Sequence, residues 1–159
     1  MTFVTHYFAY GSNMNPSRVR GRKMQFDDHH AGTLHDFRLA FNKRSVKYPG
    51  AASANVMKQQ GAKTEGVVYK MLHPEQISMM DPFEGYPVRY SRQALPIVCA
   101  NQLVEAWVYI ANDEFVTSGL KPARWYLEHL LAGREFLTAT YVEELMKVEC
   151  LPNSHLEPN

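Results

Sequence analysis

The chain has 159 residues, of which 45% are hydrophobic, and its formal net charge is +1 at pH 7. This length and apolar content are typical of one domain with a buried core, which we expect to span residues 1–150. The near-neutral charge gives no indication of a nucleic-acid or membrane-surface partner. The two cysteines, Cys99 and Cys150, are too few for a disulfide framework, and neither has a Cys-x-x-Cys partner.

Targeting signals are not apparent in the sequence. No basic-then-apolar leader opens the chain, and no apolar run approaches the length that crosses a bilayer. We therefore expect a cytoplasmic protein with no membrane partner. Residues 151–159 contain two prolines and two asparagines, a composition that predicts an irregular C-terminal tail.

The chain opens with an apolar strand that runs into a turn of small residues. Residues 4–10 are mostly β-branched and aromatic, as in a buried strand. Gly11 provides backbone freedom at the turn, while Ser12 and Asn13 carry side chains that hydrogen-bond locally. Such a turn gathers backbone N–H groups in one place, which suits an anionic oxygen, although many similar turns bind nothing.

A short helix is predicted directly after this turn. Asn15 and Pro16 suit the N-cap and the first helical position, and the pattern ends near Arg22. The helix carries a basic cluster, which we interpret as a solvated face: Arg18, Arg20, Arg22 and Lys23.

The middle of the chain is dominated by strand patterns. Strands are predicted over residues 33–42, 52–58, 64–71, 89–98 and 103–111, with the last two pairing around Ala100-Asn101-Gln102. Helical spacing occurs over residues 74–80 and 122–136, and again after a capping box that begins at Thr140. Many strands with few helices, and no β-α alternation, predict an α+β fold with a mainly antiparallel small β-barrel or curled sheet and flanking helices.

A second unusual segment surrounds a carboxylate in the middle of the chain. Glu84 lies between aromatic residues and just before Gly85. Poor solvation there raises the pKa of a carboxyl group and makes it a usable acid or base near neutral pH. The alternatives are a surface glutamate that follows a helix, or one paired with Arg89. Asp81, the rival carboxylate, precedes Pro82 and better fits a turn or helix end.

Two further groups have ordinary structural explanations. His29, His30 and His35 lack an acidic or cysteine partner at a ligand spacing, so we interpret them as a solvated loop and expect no metal. Trp125 and Tyr126 lie in the predicted late helix, where we interpret them as core or interface aromatics rather than as a ligand platform.

The opening turn and the Glu84 segment together resemble motifs of the γ-glutamylcyclotransferase family, which has an AIG2-like fold. The matching stretches are residues 8–14 and 81–85, with 66–69 as the family's central strand and 122–145 as its helical pair. The resemblance extends to about residue 148. It implies a γ-glutamylcyclotransferase-like α+β fold.

The resemblance also implies roles for individual residues. Glu84 matches the family's acid/base, and backbone amides of the opening turn match the group that holds the α-carboxylate end of a γ-glutamyl substrate. The implied substrate-binding residues are Tyr10, Gly11, Ser12, Asn13, Tyr90, Tyr109 and, as the alternative to Tyr90, Tyr86.

The implied reaction converts a γ-glutamyl amide to 5-oxoproline and releases the attached amine. The substrate's own α-amine is the nucleophile, so the protein needs neither a serine or cysteine nucleophile nor a cofactor. Free α-amino groups titrate near ~8, so a modest base such as Glu84 is sufficient. The implied partner is a small-molecule γ-glutamyl substrate, and a homodimer is one assembly left open.

The motifs do not identify the leaving amine. Asn13 and Phe83 differ from the glutathione-specific branch, and Ser12 differs from the γ-glutamylamine branch, which residues 83–92 otherwise resemble. An amino acid, an ε-lysyl group, a small amine and a carrier-bound compound all remain open. So do a non-catalytic binding protein of the same fold and a hydrolase or acyltransferase that acts on γ-glutamyl groups.

Overall fold

The computed structural model describes residues 3–158 as an α+β fold in which four helices flank a closed β-barrel. The strands are β1 (His6–Ala9), β2 (Phe26–Arg44), β3 (Ala52–Met71), β4 (Tyr90–Cys99) and β5 (Gln102–Ala111). The helices are α1 (Pro16–Gly21), α2 (Ile77–Glu84), α3 (Arg124–Leu131) and α4 (Ala139–Met146). The predicted fold class is therefore confirmed.

The barrel closes through its shortest strand. The strand order is β1-β3-β2-β4-β5, and every neighbouring pair along it is antiparallel. Closure comes from a parallel contact between β1 and β5, in which His6 is opposite Ala106 and Tyr7 is opposite Trp107. Closure pairs backbone N–H and C=O groups that the edge strands of an open sheet would leave without partners.

The strands β2 and β3 form one long bent hairpin. The sequence predicts two separate strands over 52–58 and 64–71, whereas the structure joins them into one strand. The two halves pair with different parts of β2, and the register shifts between His35 and Phe37. At this shift Asp36 has a φ of 66° and its carboxylate accepts a hydrogen bond from the Gly61 N–H at 2.9 Å. The predicted break is therefore a bulge within a continuous strand.

The histidines assigned to a solvated loop lie on β2 instead. His29 stacks on the Tyr69 ring with centroids 5.9 Å apart and contacts the Phe136 ring at 5.2 Å. These aromatic contacts explain why a polar segment continues the strand. Among residues 3–158, no group of three or more histidine, cysteine, aspartate or glutamate side chains is arranged to hold a metal ion.

Two buried clusters share the strand β1. One cluster draws on all five strands and includes Phe8 and Tyr10, and the other lies between the barrel and the helices and includes Tyr7 and Ala9. Successive side chains of a strand point to opposite faces. Both faces of β1 are therefore buried, which explains its continuous apolar sequence.

A pair of facing glycines allows close packing inside the barrel. Gly32 of β2 lies directly opposite Gly66 of β3. A Cβ atom on Gly66 would lie 3.0 Å from the Phe8 ring and would overlap the carbonyl oxygen of Ala9. Gly66 therefore makes room for the fully buried Phe8 ring, whereas a Cβ atom on Gly32 would overlap the Val68 and Ile97 side chains.

The structure confirms two features predicted from local sequence, a helix cap and a hairpin turn. The Asn15 side chain caps α1 by accepting a hydrogen bond from the Ser17 N–H at 3.1 Å, as predicted. The β4–β5 hairpin turns at Ala100 and Asn101, whose φ values are 51° and 63°, as two-residue hairpin turns require.

The late helices differ from the prediction in their bounds. The structure ends α3 at Leu131 and continues with a short 3₁₀ turn over Arg134–Phe136, rather than one helix over 122–136. The N-cap of α4 is Thr138, so the predicted capping box at Thr140 is wrong. Thr138 is fixed by the buried Glu65, whose carboxylate accepts bonds from its N–H and its hydroxyl, both at 2.8 Å.

The C-terminal residues 151–158 contain no helix or strand but pack against α3. The Trp125 N–H donates to the Ser154 carbonyl at 3.0 Å, and the Leu151 N–H donates to the Pro122 carbonyl at 2.9 Å. Within residues 3–158, no helix has the length and apolar character needed to cross a membrane.

We expect Gly66→Ala to destabilise the protein because its new methyl group would overlap the Ala9 carbonyl and crowd Phe8. Overpacking of this kind costs roughly 1–3 kcal/mol. Gly21→Ala is the matched control, because a Cβ there meets no atom within 4 Å. Thermal denaturation followed by circular dichroism measures both variants, and an equal Tm for the two would contradict the packing argument.

Candidate functional site

A cavity of about 530 Å³ opens where the β1–α1 turn, the end of α2 and the adjacent ends of β2 and β4 meet. Most of the predicted site residues line it: Tyr10, Gly11, Ser12, Asn13, Glu84, Tyr90 and Tyr109. Tyr86 does not line the cavity. It is 37% exposed and its ring stacks on the Arg92 guanidinium at 4.4 Å.

The β1–α1 turn presents its backbone to the cavity. Gly11 has a φ of −113°, so it does not use the left-handed region that its sequence context suggests. Instead, a glycine is favoured at this position because neighbouring side chains come close to its Cα atom. A Cβ atom there would lie 3.0 Å from the Tyr126 hydroxyl and 3.1 Å from the Ala54 Cβ. Within residues 3–158, the N–H groups of Gly11, Ser12 and Asn13 donate to no protein acceptor, so they are free to bind an anion.

The Asn13 side chain connects this turn to the carboxylate. Its Nδ2 donates to Glu84 Oε1 at 3.2 Å and to the Tyr7 hydroxyl at 2.9 Å. Its Oδ1 accepts from Arg22 at 3.1 Å, and its carbonyl accepts from the Tyr69 hydroxyl at 2.6 Å. Asn13 is 2% exposed, so these bonds fix its amide in one orientation.

Glu84 is the last residue of α2 and points into the cavity. The helix ends there because Gly85 adopts the left-handed conformation, with a φ of 72°. Burial raises the pKa of Glu84 above its usual range, although the nearby Arg22 and Lys43 act in the opposite direction. The predicted direction is confirmed. The predicted alternative, a pair with Arg89, is wrong, because the cation within 4 Å is Arg22, at 3.9 Å.

Asp81, the rival carboxylate, anchors α2 to the barrel. It lies inside α2 rather than at a turn or helix end. Its oxygens accept from Arg92 at 2.9 and 3.2 Å and from the Tyr109 hydroxyl at 2.7 Å. The Arg92 guanidinium lies over the Trp107 ring at 4.3 Å as well as over Tyr86. This clamp holds α2, and with it Glu84, at a fixed position beside the barrel.

Three tyrosine hydroxyls of the cavity wall bond to the backbone. Tyr10 donates to the Tyr109 carbonyl at 2.5 Å, Tyr90 donates to the Ala54 carbonyl at 2.7 Å, and Tyr126 accepts from the Ala54 N–H at 2.9 Å. Burial raises the pKa of Tyr10, Tyr90 and Tyr126, so these hydroxyls are protonated near neutral pH. They form a rigid, uncharged wall.

The aromatic pair of α3 contributes to the cavity as well. Trp125 and Tyr126 both line it, and Tyr126 also packs against both buried clusters, as predicted for a core aromatic. The Trp125 ring meets the Tyr48 ring edge-on, with centroids 5.4 Å apart. The Tyr126 hydroxyl lies beside Gly11 of the β1–α1 turn.

The basic cluster of α1 divides between the cavity and solvent. Arg18 and Arg22 line the cavity with side chains 17% exposed, which corrects the expected solvated face, whereas Arg20 points outward. The four-residue spacing of Arg18 and Arg22 is the signal that places them on one face of a helix. Arg18 pairs with Glu157 of the C-terminal segment at 3.0 Å, and His129 bonds to the same carboxylate at 2.7 Å.

Three other cations line the cavity without a carboxylate partner within residues 3–158: Lys43, Lys47 and Arg89. Lys43 is only 5% exposed, and its Nζ lies 5.5 Å from the centre of the Tyr90 ring. Burial and the nearby Arg89 lower the pKa of Lys43 to about 8, although the nearby Glu84 acts in the opposite direction. Sequence reasoning missed Lys43, because nothing in a single strand lysine indicates its burial.

We expect Glu84→Gln to raise the Tm at pH 7.5. Because burial raises the pKa of Glu84 in the folded state, this carboxyl group destabilises the fold progressively as the pH rises from its ordinary pKa to the raised pKa, and fully above the raised pKa. The gain in Tm over wild type should therefore shrink as the pH falls towards 4. The exposed Glu75, just before α2, supplies the control variant Glu75→Gln, and a gain that increased at low pH would contradict the sign.

Comparison with known structures gives several close matches in fold. A protein described as a gamma-glutamyl cyclotransferase superimposes with a TM-score of 0.81 at 23% identity, over 94% of this chain and 90% of the other. An uncharacterized protein from Homo sapiens gives a TM-score of 0.80 at 23% identity, over 93% and 89%. YkqA from Bacillus subtilis gives 0.79 at 20% identity, over 92% and 54%. At these identities the likeness shows the fold.

The sequence itself identifies the family. Comparison with curated protein sequences gave no significant match. The family profile described as "Gamma-glutamyl cyclotransferase, AIG2-like" matches residues 7–127, which contain the β1–α1 turn, Asn13 and Glu84. The match spans about three quarters of the chain and includes most of the residues that line the cavity. The chain therefore belongs to the gamma-glutamyl cyclotransferase, AIG2-like family.

Proposed function

We propose that this protein is a γ-glutamylcyclotransferase that converts a γ-glutamyl amide to 5-oxoproline and releases the attached amine. The observation that carries the proposal is the junction of two features in one cavity. The turn offers free backbone N–H groups, and the buried Glu84 lies 3.2 Å from Asn13 of that turn. Membership of the family supports the same reaction.

The substrate's α-carboxylate would bind at the β1–α1 turn. The N–H groups of Gly11, Ser12 and Asn13 would donate to its oxygens, as backbone N–H groups do in other anion sites. This pose would bring the α-amine and the γ-carbonyl near Glu84, because Asn13 of the turn donates to that carboxylate. The volume of about 530 Å³ leaves space for a leaving group beyond the γ-glutamyl unit.

Cyclisation then needs one proton to move twice. The α-ammonium group first loses one proton to solvent; the neutral α-amine then attacks the γ-carbon and forms the new C–N bond, and Glu84 takes a second proton from that nitrogen. The tetrahedral intermediate collapses as the bond to the leaving nitrogen breaks, and Glu84 returns the proton to that nitrogen. Holding the substrate in the attack geometry contributes as much as ~7–11 kcal/mol, so positioning is the main task of the protein.

The raised pKa of Glu84 suits both proton transfers. A carboxylate at its ordinary pKa is a weak base towards an ammonium group, and burial brings it closer to the operating pH. Asn13 donates its amide N–H to Glu84, which leaves the second carboxylate oxygen free for the substrate. The clamp between Asp81 and Arg92 keeps the helix that carries Glu84 in place.

The deciding experiment is incubation of the protein with a panel of γ-glutamyl amides, followed by chromatographic identification of the product. 5-Oxoproline supports cyclisation. Free glutamate would instead support hydrolysis, and a new γ-glutamyl amide would support acyl transfer. Ligand binding with no turnover of any panel member would support the non-catalytic alternative.

Glu84→Gln should lower kcat by about 10²–10⁴-fold, the usual contribution of a positioned acid/base. The variant keeps the shape of the side chain and its contact with Asn13, so binding should change much less than kcat. Glu75→Gln is the control, because Glu75 lies outside the cavity and is exposed. Near-normal turnover by Glu84→Gln would exclude Glu84 as the acid/base.

Arg22→Met should move the acidic limb of the kcat/KM profile to higher pH. Arg22 lowers the pKa of Glu84, so its loss raises that pKa, and the carboxylate then becomes protonated at a higher pH during acidification. Arg20→Met removes the same charge from the solvent side of α1 and should leave the limb in place. If the acidic limb of the kcat/KM profile is unchanged or moves to lower pH in Arg22→Met, the ionisation of Glu84 does not determine that limb.

A further inference from the structure

A second cavity lies between the second half of β2 and α4, and we call it the α4 groove. Its volume is about 560 Å³, and within residues 3–158 it shares no lining residue with the cavity that contains Glu84. Its apolar lining includes Leu39 and Phe41 of β2 and Leu145 of α4. A volume of this size with an apolar lining is typical of small-molecule sites.

Two cations lie at the same end of the α4 groove. The Thr64 hydroxyl donates to the Phe37 carbonyl at 2.9 Å. This bond holds their chain neighbours, Lys63 and Arg38, close to each other at the bulge of the β2–β3 hairpin. Both cations line the groove and both are exposed, so a ligand can reach them from solvent.

The opposite end of the groove is apolar. The bond between Glu65 and Thr138 fixes the start of α4 beside the cationic end, so Leu145 and Val148 lie towards the far end. Val116 forms a bridge to the last residues of β2 and closes that end. The groove therefore changes from charged to apolar along its length.

The cations of the groove are not neutralised by the protein. Within residues 3–158, no carboxylate lies within 4 Å of the charged groups of Lys63 and Arg38. The carboxylate that lines the groove, Glu144, pairs instead with Lys147 at 3.3 Å. A ligand with an anionic head and an apolar tail is therefore complementary to the groove.

We propose that the α4 groove is a second ligand site, which binds a carboxylate with an alkyl tail of the size of a medium-chain fatty acid. The carboxylate would lie between Lys63 and Arg38, and the tail would lie along the apolar lining. From Arg38 to Asn42 the strand β2 spans about 13 Å, which is long enough for an extended chain of eight carbons. This site goes beyond the proposed function, because the cavity that contains Glu84 takes no part in it.

Chemical-shift mapping with octanoate tests the location. In a titration of the ¹⁵N-labelled protein, we expect the backbone amide signals of residues 38–42 and 144–148 to move with a common dissociation constant. The absence of any movement, or movement confined to residues 11–13 and 84–85, would overturn the inference.

The same titration with octanamide tests the charge, because octanamide keeps the tail and lacks the anionic head. We expect the wild-type protein to bind octanoate roughly threefold to tenfold more tightly than octanamide, a modest factor because water screens exposed cations. Equal affinity for the two ligands would overturn the inference.

The double variant Arg38→Met, Lys63→Met should abolish this preference by weakening octanoate alone. Lys70→Met is the control for net charge, because Lys70 is exposed on β3 and lies outside the groove. A preference that survives in the double variant, or an equal loss for both ligands, would contradict the assigned role of the two cations.

Ser118→Trp tests the apolar part of the site independently. Ser118 is exposed and lines the groove, so an indole ring there should fill the space of the tail and weaken both ligands. Unchanged affinities in this variant would place the ligand elsewhere and overturn the inference. Turnover of γ-glutamyl amides should be unaffected in the double variant, so failure of this inference and failure of the proposed function are separate observations.

Discussion

The buried side chain of Asn13 is the contact on which the rest of the site depends. Its amide meets Glu84 on one side and Tyr7 on the other, so it joins the end of α2 to the barrel strand β1. Asn13 and Glu84 are 71 positions apart in sequence, and the pairing of β1 with β3, which is followed in the chain by α2, brings them together. A buried polar group requires partners, so the same bonds that satisfy Asn13 also orient the carboxylate.

Two cavity walls with different electrostatics meet at this contact. On the α1 side, Arg18 is neutralised by Glu157 and Arg22 lies beside Glu84. On the β2 side, Lys43 has no carboxylate partner within residues 3–158.

Features determined by nearby residues were predictable from the sequence, and features that depend on distant partners were not. The Asn15 cap and the turn at Ala100 follow from local backbone preferences, and the structure contains both. The cap at Thr138 depends on Glu65, which lies 73 positions away, so the local pattern at Thr140 misled the prediction. Burial of Lys43 likewise depends on how β2 curves past Tyr90, and no period in the sequence records that curvature.

The C-terminal segment has a consequence for the internal motions of the protein. It contributes Glu157 to the cavity wall, yet residues 151–158 are held by a few isolated bonds rather than by a strand ladder or a helix. Segments with so few backbone bonds open at a lower free energy than barrel strands do. The wall formed by the C-terminal segment therefore unfolds locally more easily than the wall that carries Glu84. Small molecules can exchange between the cavity and solvent past this segment while the barrel stays closed.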